Sequence, residues 1–144
     1  MAKTVVRRRD IIDTALAVGH FFRFCDAAEA AGLKGTLRSL GPFTVFAPTD
    51  TAFGKLGAGI VGELLKPKNL DALGKVLRYH ISQGRLTANQ VEQSSELPTL
   101  CDEPIVVTLR PGKIMVDTAS IIERDIECFN GMIHGIDAVM LPRK

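Results

Sequence analysis

The sequence predicts an α+β domain, and three observations carry that expectation. Apolar residues recur at helical spacing through the first half. Short β-branched or alternating runs fill the second half. Near the C-terminus Asn130-Gly131 joins two apolar runs, residues 121–129 and 132–141, which is the strongest short-range signal for a β-hairpin. Helices segregated before strands argue against a βαβ array.

The elements follow in order. Residues 9–31 read as two short helices, broken near Gly19 and His20. Ile11, Ile12, Ala15, Leu16 and Gly19 share one face of the first. Phe21, Phe22, Cys25, Ala28 and Ala31 give the second its apolar stripe, and Gly32 is its stop signal. Residues 33–40 read as a mobile or short helical connector ending at Gly41-Pro42. Phe43, Thr44, Val45, Phe46 and Ala47 are β-branched or aromatic, hence a strand, which Pro48 ends. Thr49 offers a hydroxyl to cap a following helix, and Asp50 places negative charge in its first turn. Helical pieces are expected at 50–56, 59–66 and 69–79, separated by Gly57, Gly59 and Pro67. Leu70, Leu73, Val76 and Leu77 line one side of the last piece. From Tyr79 onward the pattern turns to strand: residues 79–82, ended by Gly84, then 97–100, 105–109 and 114–116. Pro111-Gly112 turns the chain between the last two. Asn130 and Gly131 are both expected at positive φ.

Composition bounds the function. A chain of 144 residues that is 46% hydrophobic can build its own core, so one domain is expected over 1–144, with its core at about 9–142. A net charge of +2 is too small to point to nucleic acid. No run approaches the ~18 apolar residues of a membrane span, so no direct membrane insertion is expected. Lys3, Arg7, Arg8 and Arg9 precede an apolar stretch, but Asp10, Asp13 and Arg23 interrupt it. The arginines read as a solvated flank of an amphipathic helix, and no export signal is read. Cys25, Cys101 and Cys128 are widely spaced, without a C-x-x-C pair. They read as small buried hydrophobes, with one disulfide plus a free thiol left open for a chain outside the cell.

Three segments carry a resemblance. Residues 44–53, Thr-Val-Phe-Ala-Pro-Thr-Asp-Thr-Ala-Phe, resemble the first signature of the fasciclin-like domain family. Residues 130–142, from Asn130-Gly131 to Leu141-Pro142, resemble the second. Leu77-Arg78-Tyr79-His80-Ile81 between them is similar to the family's tyrosine–histidine segment. The resemblance implies N-terminal helices packed on a wedge-shaped β-sheet arrangement. It also implies a non-enzymatic adhesion or recognition module, secreted or at the cell surface, that meets cell-surface, matrix or symbiotic proteins, with a second copy of itself as a further partner. By the same resemblance the partner-binding candidates are Tyr79 and His80, flanked by Leu77 and Ile81, and the pair Asp125-Ile126. Gly135 stands where the family carries an aliphatic residue, which implies a loosened strand or a bulge.

A second reading uses the same residues differently. It is a small-molecule binding or hydrolytic protein that employs His80, His134 or a cysteine, the atom types of a nucleophile beside a base. The alternative for each histidine is a buried imidazole held by backbone hydrogen bonds. Asp137 lies three residues after His134, so in an extended strand the two point to opposite faces and form no dyad. Asp50 reads as helix-terminus electrostatics. There is no G-x-S-x-G, no G-x-G-x-x-G and no phosphate loop. No catalytic, cofactor or metal residue is therefore assigned, and no cofactor is expected.

Overall fold

The structure, a computed structural model, describes residues 10–39, 42–56, 66–101, 103–117 and 119–140. The arginine cluster 7–9, residues 59–65 of the helix expected over 59–66, Gly41, and the end of the second signature at 141–142 lie outside the described residues.

Three short helices open the described chain: α1 (Ile11–Val18), α2 (Phe22–Ala30) and α3 (Lys34–Arg38). Gly19 takes φ +95° and ends α1, so the expected break falls where the sequence places it. In α2 the expected stripe is off by one residue. The buried set is Phe21, Phe24, Cys25, Ala27 and Ala28, while Phe22 is 47% exposed. Residues 21, 24, 25 and 28 are the i, i+3, i+4, i+7 pattern, and Phe22 lies about 100° round the helix from Phe21.

Strand β1 (Phe43–Pro48) runs into α4 (Asp50–Leu56). The Thr49 hydroxyl accepts from Ala52 N at 3.1 Å, the expected cap. The Asp50 carboxylate instead accepts from Arg23 N at 2.8 Å, in the first turn of α2, whose own N-cap residue supplies no side-chain bond. A 3₁₀ turn (Pro67–Asn69) leads into α5 (Leu70–Tyr79). Tyr79 is therefore the last helical residue and His80 its cap, where the sequence pattern suggested a strand. Strand β2 starts only at Ile81 and runs to Gln83.

A further helix, α6 (Ala88–Glu92), was not expected. Its signal is a capping box: Thr87 Oγ1 accepts from Gln90 N, and the Gln90 side chain returns a bond to Thr87 N. Strands β3 (Glu96–Leu97), β4 (Ile105–Arg110), β5 (Lys113–Val116), β6 (Ala119–Cys128) and β7 (Gly131–Ile136) complete the chain. The strand expected over 97–100 shrinks to Glu96–Leu97, because Leu100 N bonds back to Arg78 O and Ile81 O, outside the β3–β4 ladder.

The seven strands form one sheet in the order β2-β1-β7-β6-β5-β4-β3. The β1–β7 pair is parallel, from Phe43↔Gly131 to Pro48↔Ile136, and the other pairs are antiparallel. β1 and β7 are buried along their whole length. Alternating side chains explain why. Phe43, Val45, Ala47 and Ile133 join a core with α1, α2 and α5. Phe46 and Ile136 face a second core with Tyr79, Val91, Ile105, Ile114 and Val116.

The β6–β7 hairpin corrects the sequence reading. Neither Asn130 nor Gly131 takes positive φ. Cys128 pairs with Gly131, so Phe129 and Asn130 are the two turn residues. Gly131 is required for a different reason: a Cβ there would lie 2.0 Å from Phe43 O on β1. Asn130 is buried, and its side chain is a hub. Oδ1 accepts from Ile11 N at 3.0 Å, at the start of α1. Nδ2 donates to Leu37 O and Ser39 O at 2.7 and 2.6 Å, at the end of α3. Its carbonyl accepts from Phe43 N.

Gly135 marks a bulge, one of the two alternatives the sequence left open. It pairs with Glu123, with register shifts on either side. The Phe21 ring occupies the space a side chain would take, 3.0 Å from the Cβ position. Across this point His20 Nε2 is hydrogen-bonded to the Glu123 carboxylate.

Candidate functional site

The two candidate partner-binding segments lie at different depths. Leu77, Tyr79, His80 and Ile81 are all buried, Tyr79 and His80 with no exposed area at all. Their side chains cannot touch a partner while the fold is closed, and each polar atom has an internal use. The Tyr79 hydroxyl bonds to the Asp117 carboxylate and lies 3.2 Å from Pro104 O. Asp117 sits at φ +53° after β5, and its carboxylate also accepts from Val106 N at 2.9 Å. The tyrosine thus fastens α5 to β4 and β5.

His80 bridges two backbone groups. Nδ1 lies 2.8 Å from Val76 O, and Nε2 accepts from Met140 N at 2.9 Å. A carbonyl only accepts and an amide only donates, so the ring is neutral with its proton on Nδ1. Burial pushes its pKa down to about 4. His134 is wired in the opposite tautomer. Nε2 donates to Leu86 O at 2.8 Å, and Nδ1 accepts from Asp125 N at 3.1 Å. Burial lowers its pKa as well. Both rings match the buried imidazole held by backbone hydrogen bonds. Asp137 is not a partner of His134: its carboxylate accepts from Ser120 N at 2.7 Å.

Asp125 is exposed and Ile126 half-buried against the first core, in the second irregularity of β6. Asp125 takes φ +56°, and Oδ1 accepts from Ala88 N at 2.8 Å, at the start of α6. Asp125 and His134 therefore hold a strap, residues 84–88, across the end of the hairpin. Thr44 secures the same strap: Oγ1 donates to Gly84 O and accepts from Leu86 N. Arg85 completes it. Its guanidinium donates to Cys128 O, Gly131 O and Phe129 O at 3.1, 2.8 and 3.2 Å. Phe129, 59% exposed, stands on this fixed turn beside a cleft of about 340 Å³ lined by Arg85, Glu127 and Cys128. The sequence reading missed Arg85, Asp117 and Phe129. Asp117 acts through its bonds to Tyr79 and Val106 N, and Arg85 through the turn carbonyls beside Phe129, and neither leaves a sequence signal.

The two buried thiols, Cys25 and Cys128, are poor nucleophiles. All three cysteines are free. Burial pushes Cys25 and Cys128 up to about 11, far from the thiolate range. Among the described residues no group of three or more His, Cys, Asp or Glu is placed to hold a metal ion. No described helix is long and apolar enough to cross a membrane.

Comparisons with known proteins agree with this architecture. The family model for the fasciclin domain matches residues 19–142. Protein sll1483 of Synechocystis sp. is 44% identical over 132 residues, 92% of this chain and 73% of that one. Transforming growth factor-beta-induced protein ig-h3 of Sus scrofa is 30% identical over 132 residues, 92% of this chain but 19% of that one. Among solved structures, a FAS1 domain pair from the insect cell adhesion molecule fasciclin I superposes with a TM-score of 0.83 at 20% identity. It covers 95% of this chain and 52% of that one. With the fold, the signature segments and the family match in agreement, the chain belongs to the fasciclin domain family.

Proposed function

We propose that this chain is a single-domain, non-enzymatic recognition module of the adhesion type, acting at the cell surface or in secreted form. One observation carries the proposal. His80 and His134 are buried and bound to backbone groups, and the Cys25 and Cys128 thiols are buried, whereas the Phe129 ring is held at the surface on a turn that Arg85 fixes. Arg85 fixes three carbonyls around the β6–β7 turn, so Phe129 is presented without the loop-ordering cost that weakens binding. Asp125 and Ile126 lie on the same hairpin and belong to the contact surface. Leu77, Tyr79, His80 and Ile81 support it from within by fixing the helix and strand behind it. The relation to a cell adhesion molecule supports this class of function. The partner is a cell-surface or matrix protein, or a second copy of the chain.

Intact cells and chain-coated beads test the reading. Cells should adhere saturably to the immobilised chain, or coated beads should aggregate with one another. Phe129→Ser should lower either signal about tenfold, as expected for an aromatic anchor, with the melting temperature unchanged. Adhesion that is absent, or indifferent to Phe129→Ser, overturns the proposal.

A further inference from the structure

A second cleft lies on the α6 side of the β4–β5 turn. Its volume is about 210 Å³, and Arg110, Lys113 and Arg124 line it with Glu92, Leu109 and Ile114. Three cations against one carboxylate leave a charge of +2 in this one place, equal to the formal net charge of the whole chain. None of the three cations has a hydrogen bond or ion pair among the described residues. The carboxylates flanking Arg124 in sequence are used elsewhere, Glu123 by His20 and Asp125 by Ala88 N.

A second observation is independent of the cleft. Arg110 and Lys113 are direct register partners across the β4–β5 ladder. Like charges opposite one another destabilise a sheet. The turn between them needs no charge, since Pro111-Gly112, with Gly112 at φ +72°, already sets its geometry. Leu109, largely exposed, is the apolar side chain that the same cleft presents, and its register partner Ile114 is buried in the second core.

We propose that this cleft binds a small organic oxyanion, a sulfate or phosphate monoester carrying a compact apolar group. Arg110, Lys113 and Arg124 hold the oxyanion through charge-assisted hydrogen bonds, and the guanidinium forks suit its paired oxygens. Leu109 receives the apolar body. Glu92 repels a second negative group and so favours a singly substituted ligand. The site is distinct from the Phe129 surface, so its failure leaves the adhesion reading standing.

The test uses the full chain with phenyl phosphate, phenyl sulfate, inorganic phosphate and phenyltrimethylammonium, read by amide NMR shifts and calorimetry. Phenyl phosphate and phenyl sulfate should shift the Gly112 and Lys113 amides and bind more tightly than inorganic phosphate. The cation should not bind. Affinity should fall as salt rises. Arg124→Gln should weaken binding about tenfold, as for one lost charge-assisted hydrogen bond, and leave the melting temperature unchanged. No shift at millimolar ligand overturns the proposal, as does equal affinity in Arg124→Gln. Equal binding of inorganic phosphate overturns the apolar half.

Discussion

Two turns of one sheet treat their polar groups in opposite ways. At the β6–β7 turn both polar side-chain atoms of Asn130 are engaged, binding the start of α1 and the end of α3. At the β4–β5 turn Arg110 faces Lys113, and neither has a partner among the described residues. Polar chemistry in the first place holds the fold together. In the second it works against the fold and stays available to something outside it. A sequence motif can belong to either kind, and burial with bond count separates them. By that measure Tyr79-His80 belongs to the first.

Gly131→Ala tests the first turn most severely. Its Cβ would fall 2.0 Å from Phe43 O, and a backbone carbonyl paired in the sheet cannot rotate away. A loss of about 3 kcal/mol or more is expected in urea unfolding. A loss below about 1 kcal/mol would mean that the parallel β1–β7 register is wrong.

Acid should come next. His80 is neutral in the fold, with a pKa pushed down to about 4 from an ordinary 6.5. A histidine whose folded pKa is depressed favours folding fully above 6.5, and that contribution drains away as pH falls toward 4. The linked loss is about 3 kcal/mol across that window, and His134 adds to it in the same direction. Unfolding curves at pH 7 and pH 4 check it, after comparison with His80→Gln, which should flatten the dependence. An unaltered slope in His80→Gln would assign the acid sensitivity elsewhere.

Asn130→Ala should cost about 2–3 kcal/mol, since it strands Ile11 N and Leu37 O in a buried place and removes the bond to Ser39 O. The same turn shows what a sequence can and cannot say. Asn-Gly correctly announced a hairpin, because turn chemistry is local. It misplaced the reason for the glycine, because the close approach comes from β1, more than eighty residues away in sequence. The break at Gly19 and the cap at Thr49 were legible for the same local reason. Tyr79 reads as strand, yet its helix continues because the ring packs into the second core and its hydroxyl reaches Asp117. A buried His80 was one of the readings the sequence left open, but the sequence could not choose between it and a partner contact: depth depends on which elements close over a residue, and composition does not encode that.

Lys113→Glu probes the second turn with the smallest effect and an opposite sign. It converts the like-charged register pair with Arg110 into an attractive one. The gain should be about 0.5 kcal/mol, a rise of about 1–2 °C in melting temperature at low salt, shrinking as salt screens the exposed pair. The same change should abolish phenyl phosphate binding, because it reverses one of three cations and leaves the cleft with no net charge. A residue whose replacement stabilises the fold while removing a ligand is one retained for that ligand, since destabilising arrangements persist where function needs them. A melting temperature that stays constant would instead mean that Arg110 and Lys113 do not sense each other, and that the cations of this cleft are ordinary solvated side chains.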